Sequence, residues 1–126
     1  MPEQLPDDVH RLIVEHINSV EQLETLLLLR SEPQRVWTVD EVSHALYTQP
    51  AAAQMRLDDL QSRGLLLRGD NSGWQYNQAN APVDRLIGLL ADLYRDRRVT
   101  VITLIYSKPH QQVQAFADAF KLRKDQ

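Results

Sequence analysis

Apolar positions in this chain fall into blocks of helical period separated by polar or turn-forming residues. Val9, Leu12, Ile13, His16, Ile17 and Val20 recur at spacings of one to four, which predicts a first helix from about Val9 to Ile17. Asp7-Asp8 precede it and predict its cap, with carboxylates near the positive helix end. Asn18-Ser19 interrupts the pattern. Ser19-Val20-Glu21-Gln22 then has the Ser-x-x-Gln form of a capping box, opening a second helix. Leu23, Leu26, Leu27, Leu28 and Leu29 make this helix apolar around much of its circumference, which places it in the middle of a core. It should stop near Arg30-Ser31-Glu32, ahead of Pro33.

The middle of the chain carries the sharpest punctuation. Val36-Trp37 reads as a short strand or an extended lead-in. Thr38-Val39-Asp40-Glu41 is a second capping box, so a helix from Val39 to Leu46 follows with Val42, Ala45 and Leu46 inward. After Tyr47-Thr48-Gln49, Pro50 suits the first turn of a further helix, where its missing N–H costs nothing. Ala53, Leu57 and Leu60 form the inward stripe, and Gly64 is placed to take the left-handed conformation at the end. Leu65 and Leu67, then Trp74 and Tyr76, alternate as a half-buried hairpin around the turn Gly69 to Gly73. Helix, tight turn, helix and hairpin in this order predict a winged helix-turn-helix.

Asn80-Ala81-Pro82 opens the next helix. Val83, Leu86, Ile87, Leu90, Leu93, Tyr94, Arg97, Val101, Leu104 and Ile105 hold a helical phase through the charged patch Arg95 to Arg98. One helix from Pro82 to about Tyr106, roughly 36 Å long, is the expectation. The competing reading ends the helix at the patch and makes the β-branched run Val99 to Tyr106 a strand. Ser107-Lys108-Pro109 breaks the element. A last helix from His110 to about Leu122 carries Val113, Phe116, Ala117 and Phe120 as one stripe. The predicted fold class is mainly α with a small β-hairpin wing, a winged helix-turn-helix with additional N- and C-terminal helices. The 126 residues predict one domain: an N-terminal helix in 1–19, a winged-helix core in 20–78 and a helical extension in 80–126.

Composition narrows the function classes. Apolar residues at 43% and charged residues at 25% fit a soluble globular protein. The N-terminus is acidic and has no apolar signal core, so a cytoplasmic, bacterial protein is expected. With no cysteine there is no disulfide, thiolate nucleophile or cysteine-ligated metal. The net charge of −3 conceals a gradient. Residues 1–35 hold three basic and seven acidic groups, net −4, residues 36–79 three and five, net −2, and residues 80–126 eight and five, net +3. The segment expected to meet nucleic acid is therefore not basic overall. Strong non-specific affinity, which comes from Lys and Arg displacing counterions, is not expected of it.

Two stretches carry a family resemblance: Trp37-Thr38-Val39-Asp40-Glu41-Val42, and Leu57-Asp58-Asp59-Leu60-Gln61-Ser62-Arg63-Gly64-Leu65-Leu66. They resemble the middle of bacterial winged-helix transcriptional regulators, including the multiple-antibiotic-resistance (MarR) type, over roughly residues 20–78. The resemblance implies a DNA-binding regulator in which the exposed first half of the helix from Pro50 enters the major groove and the wing touches the minor groove or backbone. It implies DNA contacts at Thr48, Gln49, Gln54, Arg56, Arg63, Arg68, Asn71 and Ser72. Ala51, Ala52, Met55 and Asp58 would lie on the same groove-facing side. Gln54 can pair with adenine through two hydrogen bonds. Thr48 and Gln49 suit phosphate, and Arg68, Asn71 and Ser72 reach from the wing. The resemblance also implies a homodimer built by the C-terminal helices, with Leu90, Tyr94, Val101, Leu104, Ile105, Val113, Phe116 and Phe120 at the seam.

The helix from Pro50 departs from the family's usual Ser-, Thr- and Arg-rich recognition helix. Asp58 and Asp59 would repel phosphate, and the alanines offer only contacts with thymine methyls. A protein-interaction module that does not bind DNA is therefore the alternative. The basic residues Arg95, Arg97, Arg98, Lys108, Lys121, Arg123 and Lys124 read as a solvated face. An enzyme is not expected. His10, His16, His44 and His110 are scattered, and no His-Glu-x-x-His spacing occurs. Asp7-Asp8 and Asp58-Asp59 are adjacent pairs that diverge on a helix and make no acid–base dyad. No cofactor, metal or membrane is implied.

Overall fold

A computed structural model describes residues 5–69 and 73–107. The order is α1 (Asp7–His16), α2 (Val20–Ser31), α3 (Val39–Ala45), α4 (Pro50–Ser62), β1 (Leu66–Arg68), β2 (Trp74–Tyr76), α5 (Ala81–Asp96) and α6 (Arg98–Ser107). The fold is the winged helix-turn-helix that the sequence predicts, mainly helical with a two-stranded antiparallel hairpin. The last helix expected over residues 110–122, with Val113, Phe116 and Phe120, lies outside the described residues.

Local rules set most of the helix ends. Thr38 accepts the Glu41 N–H at 3.1 Å while the Glu41 carboxylate accepts the Thr38 N–H at 3.0 Å, a complete capping box. Ser19 caps α2 by accepting the Gln22 N–H at 3.0 Å, but Gln22 Oε1 turns back to the N–H of Asn18 rather than Ser19. Asn80 caps α5 through the Val83 N–H. The first helix begins earlier than its pattern suggests. Pro6 holds the cap position without a side-chain bond, and Asp7 and Asp8 occupy the first turn, where they complement the dipole instead of capping.

One hydrophobic core runs through the described helices and the hairpin. Leu23, Leu26 and Leu29 of α2 are fully buried, packed with Ala53, Leu57 and Leu60 of α4 and with Leu66, Trp74 and Tyr76 of the hairpin. Val9, Leu12, Ile13 and Ile17 continue it toward Ile87, Leu90 and Tyr94 of α5. Each such leucine contributes about 1.5–3 kcal/mol of transfer free energy. On α3 the inward positions are Val42 and Ser43. Ala45 is exposed, while Leu46 just beyond the helix is partly buried against the core.

Two further expectations are corrected by the structure. The hairpin buries Leu66, not Leu67. Leu65 is buried too, but as the residue whose N–H closes the end of α4, so strand alternation begins one position later. The chain from Ala81 to Ser107 is neither one straight helix nor helix then strand. Arg97, at φ −134° and ψ 54°, ends α5, and the chain resumes as α6. A straight helix would carry the nearly all-apolar run Val99 to Ile105 away from the body. The bend lays α6 on α1 and α5 and buries Val101 and Ile105 completely. That burial outweighs the weak strand preference of β-branched residues.

The hairpin is joined to the chain ahead of α3. Trp37 and Trp74 exchange backbone hydrogen bonds of 2.7 and 2.8 Å, an isolated antiparallel bridge that extends the two-stranded sheet by one residue pair. Gly69 and Gly73 close the wing turn through a 2.7 Å backbone bond. A side chain on Gly73 would meet the Val36 side chain and the Trp37 carbonyl, so this turn sits tight against the lead-in to α3.

Candidate nucleic-acid interface

The turn between α3 and α4 is a complete Schellman motif. The Thr48 N–H reaches the Ser43 carbonyl at 3.0 Å and the Tyr47 N–H reaches His44 at 3.4 Å, with Tyr47 left-handed at φ 54°. Thr48 then lies half-buried and accepts from Arg56 Nη1 at 3.5 Å, the outer limit of a hydrogen bond. Gln49 is the α4 N-cap with an exposed side chain that makes no capping bond. Pro50 occupies the first position, as its sequence context predicts.

With Ala53, Leu57 and Leu60 inward, α4 turns Ala51, Met55 and Asp58 to solvent. Met55 is 66% exposed near the centre of that face. Gln54 flanks it, and its amide donates to both oxygens of Asp58 at 3.1 Å one turn on. This exposed pair is worth only a few tenths of a kcal/mol, about 0.2–0.5. A base edge can therefore displace Asp58 from Gln54 at small cost.

Arg63 is placed differently. Its Nε donates to Asp59 Oδ2 at 3.1 Å and its Nη1 to the Glu15 carbonyl at 3.0 Å, and its side chain is only 16% exposed. Asp59 also accepts from Gln22 Nε2. Gln22, Asp59, Arg63 and Glu15 thus tie the C-terminal half of α4 to α1 and α2. These bonds make Arg63 a brace between α4 and α1 in the described fold. Arg63 also lines a cleft of about 420 Å³ shared with Arg11, Glu15, Asn77 and Leu86.

On the hairpin, Arg68 is exposed and its guanidinium lies 4.1 Å above the Trp74 ring. Cross-strand partners in a sheet share a face, and Arg68 pairs with Trp74. Arg35, which the sequence reading passed over, stacks 3.5 Å above Trp37 and pairs with Glu32 and Glu41 at 3.3 and 3.5 Å. Its signal was its position two residues before Trp37 in an extended segment, which puts both on one face. The Thr38 N–H bond, with Arg35 beside it, holds the Glu41 carboxyl below its ordinary range. Asn71 and Ser72, the remaining wing residues of the expected contact set, lie outside the described residues.

A second polar node fixes the far strand. The Tyr76 hydroxyl donates to Asp84 Oδ1 at 2.5 Å, and Arg30 Nε donates to the same oxygen at 3.1 Å. Burial, then the Asp84 bond, pushes the Tyr76 phenol well above its usual value. The Tyr76 bond, then Arg30, holds Asp84 below the usual carboxylate range. The hairpin is thereby anchored to α2 and α5.

The residues expected at a dimer seam differ in exposure within the chain. Leu90, Val101 and Ile105 are fully buried and Tyr94 nearly so, all inside the chain's own core. Tyr94 donates to Glu24 at 2.8 Å, and burial with that bond pushes its phenol up to about 12. Leu104 is half-buried, while Leu89, Val99 and Tyr106 are the large apolar side chains that α5 and α6 expose. Among the described residues no group of three or more His, Asp or Glu could hold a metal ion, and no helix is long and apolar enough to cross a membrane.

No family model matches the chain, and no curated protein does. Among solved structures the chain is similar to MepR, described as a transcription regulator of the Staphylococcus aureus multidrug efflux pump MepA. The two are 14% identical with a TM-score of 0.51, over 94% of this chain and 90% of MepR. It is also similar to a chain described as a possible transcriptional regulator from Methanosarcina mazei Go1. There the identity is 19% and the TM-score 0.48, over 72% of this chain and 80% of the other. The likeness to MepR bears out the winged helix-turn-helix fold with helices added at both ends.

Proposed function

We propose that this chain is a DNA-binding transcriptional regulator of the winged-helix type, related to the MarR-like regulators and acting as a homodimer. The observation that carries the reading is the pairing of an outward α4 face with a wing held in fixed register to it. Trp37 bonds to Trp74 on one side and opens α3 through Thr38 on the other, so helix-turn-helix and wing share one frame. Such a frame suits a helix in the major groove with a hairpin at its edge. The fold likeness to a transcription regulator supports the same direction.

In this reading Gln54 reads a base edge after releasing Asp58, while Arg56, Thr48 and Gln49 meet phosphate. Arg68 reaches the backbone from the wing, and Trp74 fixes its guanidinium in advance. Asp58 faces the duplex too, so the interface gains specificity more than raw affinity. Dimerisation falls to the exposed apolar positions Leu89, Val99 and Tyr106 of the C-terminal helices, with half-buried Leu104 beside them.

The test is an anisotropy titration with mixed-sequence duplex at about 50 and 200 mM salt. Binding that tightens as salt falls is expected. Arg68→Ala should weaken it on every sequence and reduce the salt slope by about 1, whereas Gln54→Ala should relax one base position. In the dimer, recognition helices should lie about 34 Å apart or a multiple of that on one face. No binding at the lower salt would sink the reading and leave a protein-interaction module.

A further inference from the structure

Tyr47 occupies a position that neither helix propensity nor packing explains. Helices often end with a left-handed residue at this point of a Schellman motif, and the residue is usually glycine because a Cβ is penalised there. This chain follows that usage at the end of α4. Gly64 has φ 80°, its N–H reaches Gln61 at 2.9 Å and the Leu65 N–H reaches Leu60 at 3.0 Å. At the end of α3 the same pair of bonds recurs with Tyr47 in glycine's place. Tyr47 is 96% exposed, so no contact within the described fold offsets the conformational cost. The motif fixes its backbone all the same, and the phenol projects into solvent beside Thr48 and the start of α4.

We propose that Tyr47 is a further nucleic-acid contact of this interface, a phosphate-backbone anchor that sets how α4 enters the groove. The inference rests on the DNA-binding reading above. The turn that precedes a recognition helix lies at the groove wall, where phosphates are the nearest groups. A phenol hydroxyl there donates to a phosphate oxygen, and the ring covers the adjoining sugar. Because the phenol is neutral, the contact displaces no counterion. Its signature therefore differs from that of Arg68: affinity falls on all sequences alike while the salt slope stays the same.

The experiment compares wild type, Tyr47→Phe and Tyr47→Gly by anisotropy on mixed-sequence duplex across the same salt series, with thermal melts of each protein. Tyr47→Phe should bind roughly three- to tenfold more weakly, with an unchanged slope. Tyr47→Gly should bind at least as weakly as the phenylalanine variant while melting no lower than wild type, since glycine accepts the left-handed backbone. If wild type binds and Tyr47→Phe binds equally well, the hydroxyl anchor is wrong and the DNA-binding reading stands. If wild type itself fails to bind at the lower salt, the reading fails and the anchor with it. A slope that falls in Tyr47→Phe would also overturn the proposal, because a neutral donor cannot change it.

Discussion

Gly64→Ala isolates a single energetic term. An added Cβ at Gly64 meets nothing within 4 Å, so the substitution introduces no clash and removes no packing. What remains is the backbone at φ 80°, where an L-residue pays roughly 1–2 kcal/mol relative to glycine. Alanine also restricts the unfolded chain, which offsets about 0.4–1 kcal/mol. The net destabilisation should be about 1 kcal/mol, or a fall of some 3–5 °C in Tm for a domain of this size. Urea unfolding followed by far-UV circular dichroism would measure it. The midpoint should drop with no change in the denaturant slope, because the buried surface is the same. Gly64→Asn should lose less, since asparagine tolerates this region better than alanine. A neutral or stabilising Gly64→Ala would refute the assignment of a left-handed cap to the end of α4.

Gly73→Ala should cost more, about 1–3 kcal/mol, because its Cβ collides with Val36 and the Trp37 carbonyl; an unchanged melting temperature would contradict the close approach. Asp59→Ala removes the shared acceptor of Gln22 and Arg63 and should destabilise by about 1–3 kcal/mol in urea melts. A loss confined to DNA affinity would instead point to a direct role for Asp59. Stability should also fall at both ends of the pH range. The depressed Asp84 stabilises the fold above its ordinary value of about 4, and that contribution is lost as pH falls through the lower folded value. The raised phenols of Tyr76 and Tyr94 stabilise it below about 10, and their contribution is lost as pH climbs from there toward about 12 for Tyr94. Urea midpoints across pH would show both arms, and Tyr76→Phe with Tyr94→Phe should flatten the alkaline one.

What the sequence made legible is what depends on a few neighbouring residues. The Thr38–Glu41 box, Pro50 at the start of α4 and Gly64 at its end are local chemistry, and each sits where its spacing placed it. Arg97 shows the opposite case. The apolar phase continues through it from Tyr94 to Val101 and Ile105, and neither proline nor glycine marks the break. Much of the surface that α6 packs on belongs to α1, far away in sequence. The bracing role of Arg63 is hidden from the sequence for the same reason, since its carbonyl partner is Glu15, 48 residues earlier. The sequence places Tyr47 in a turn, while its left-handed backbone depends on where α3 stops.

The chain contains two tryptophans, and both belong to the one bridge between the lead-in to α3 and the wing. Each indole is almost fully shielded from water and has a guanidinium over its face. Tryptophan emission, excited selectively over that of the four tyrosines, is thus a built-in gauge centred on a single joint. An emission change that precedes the loss of helical ellipticity on heating would mean that this joint opens before the helices melt. Coincident transitions would mean that wing and helices unfold as one cooperative unit.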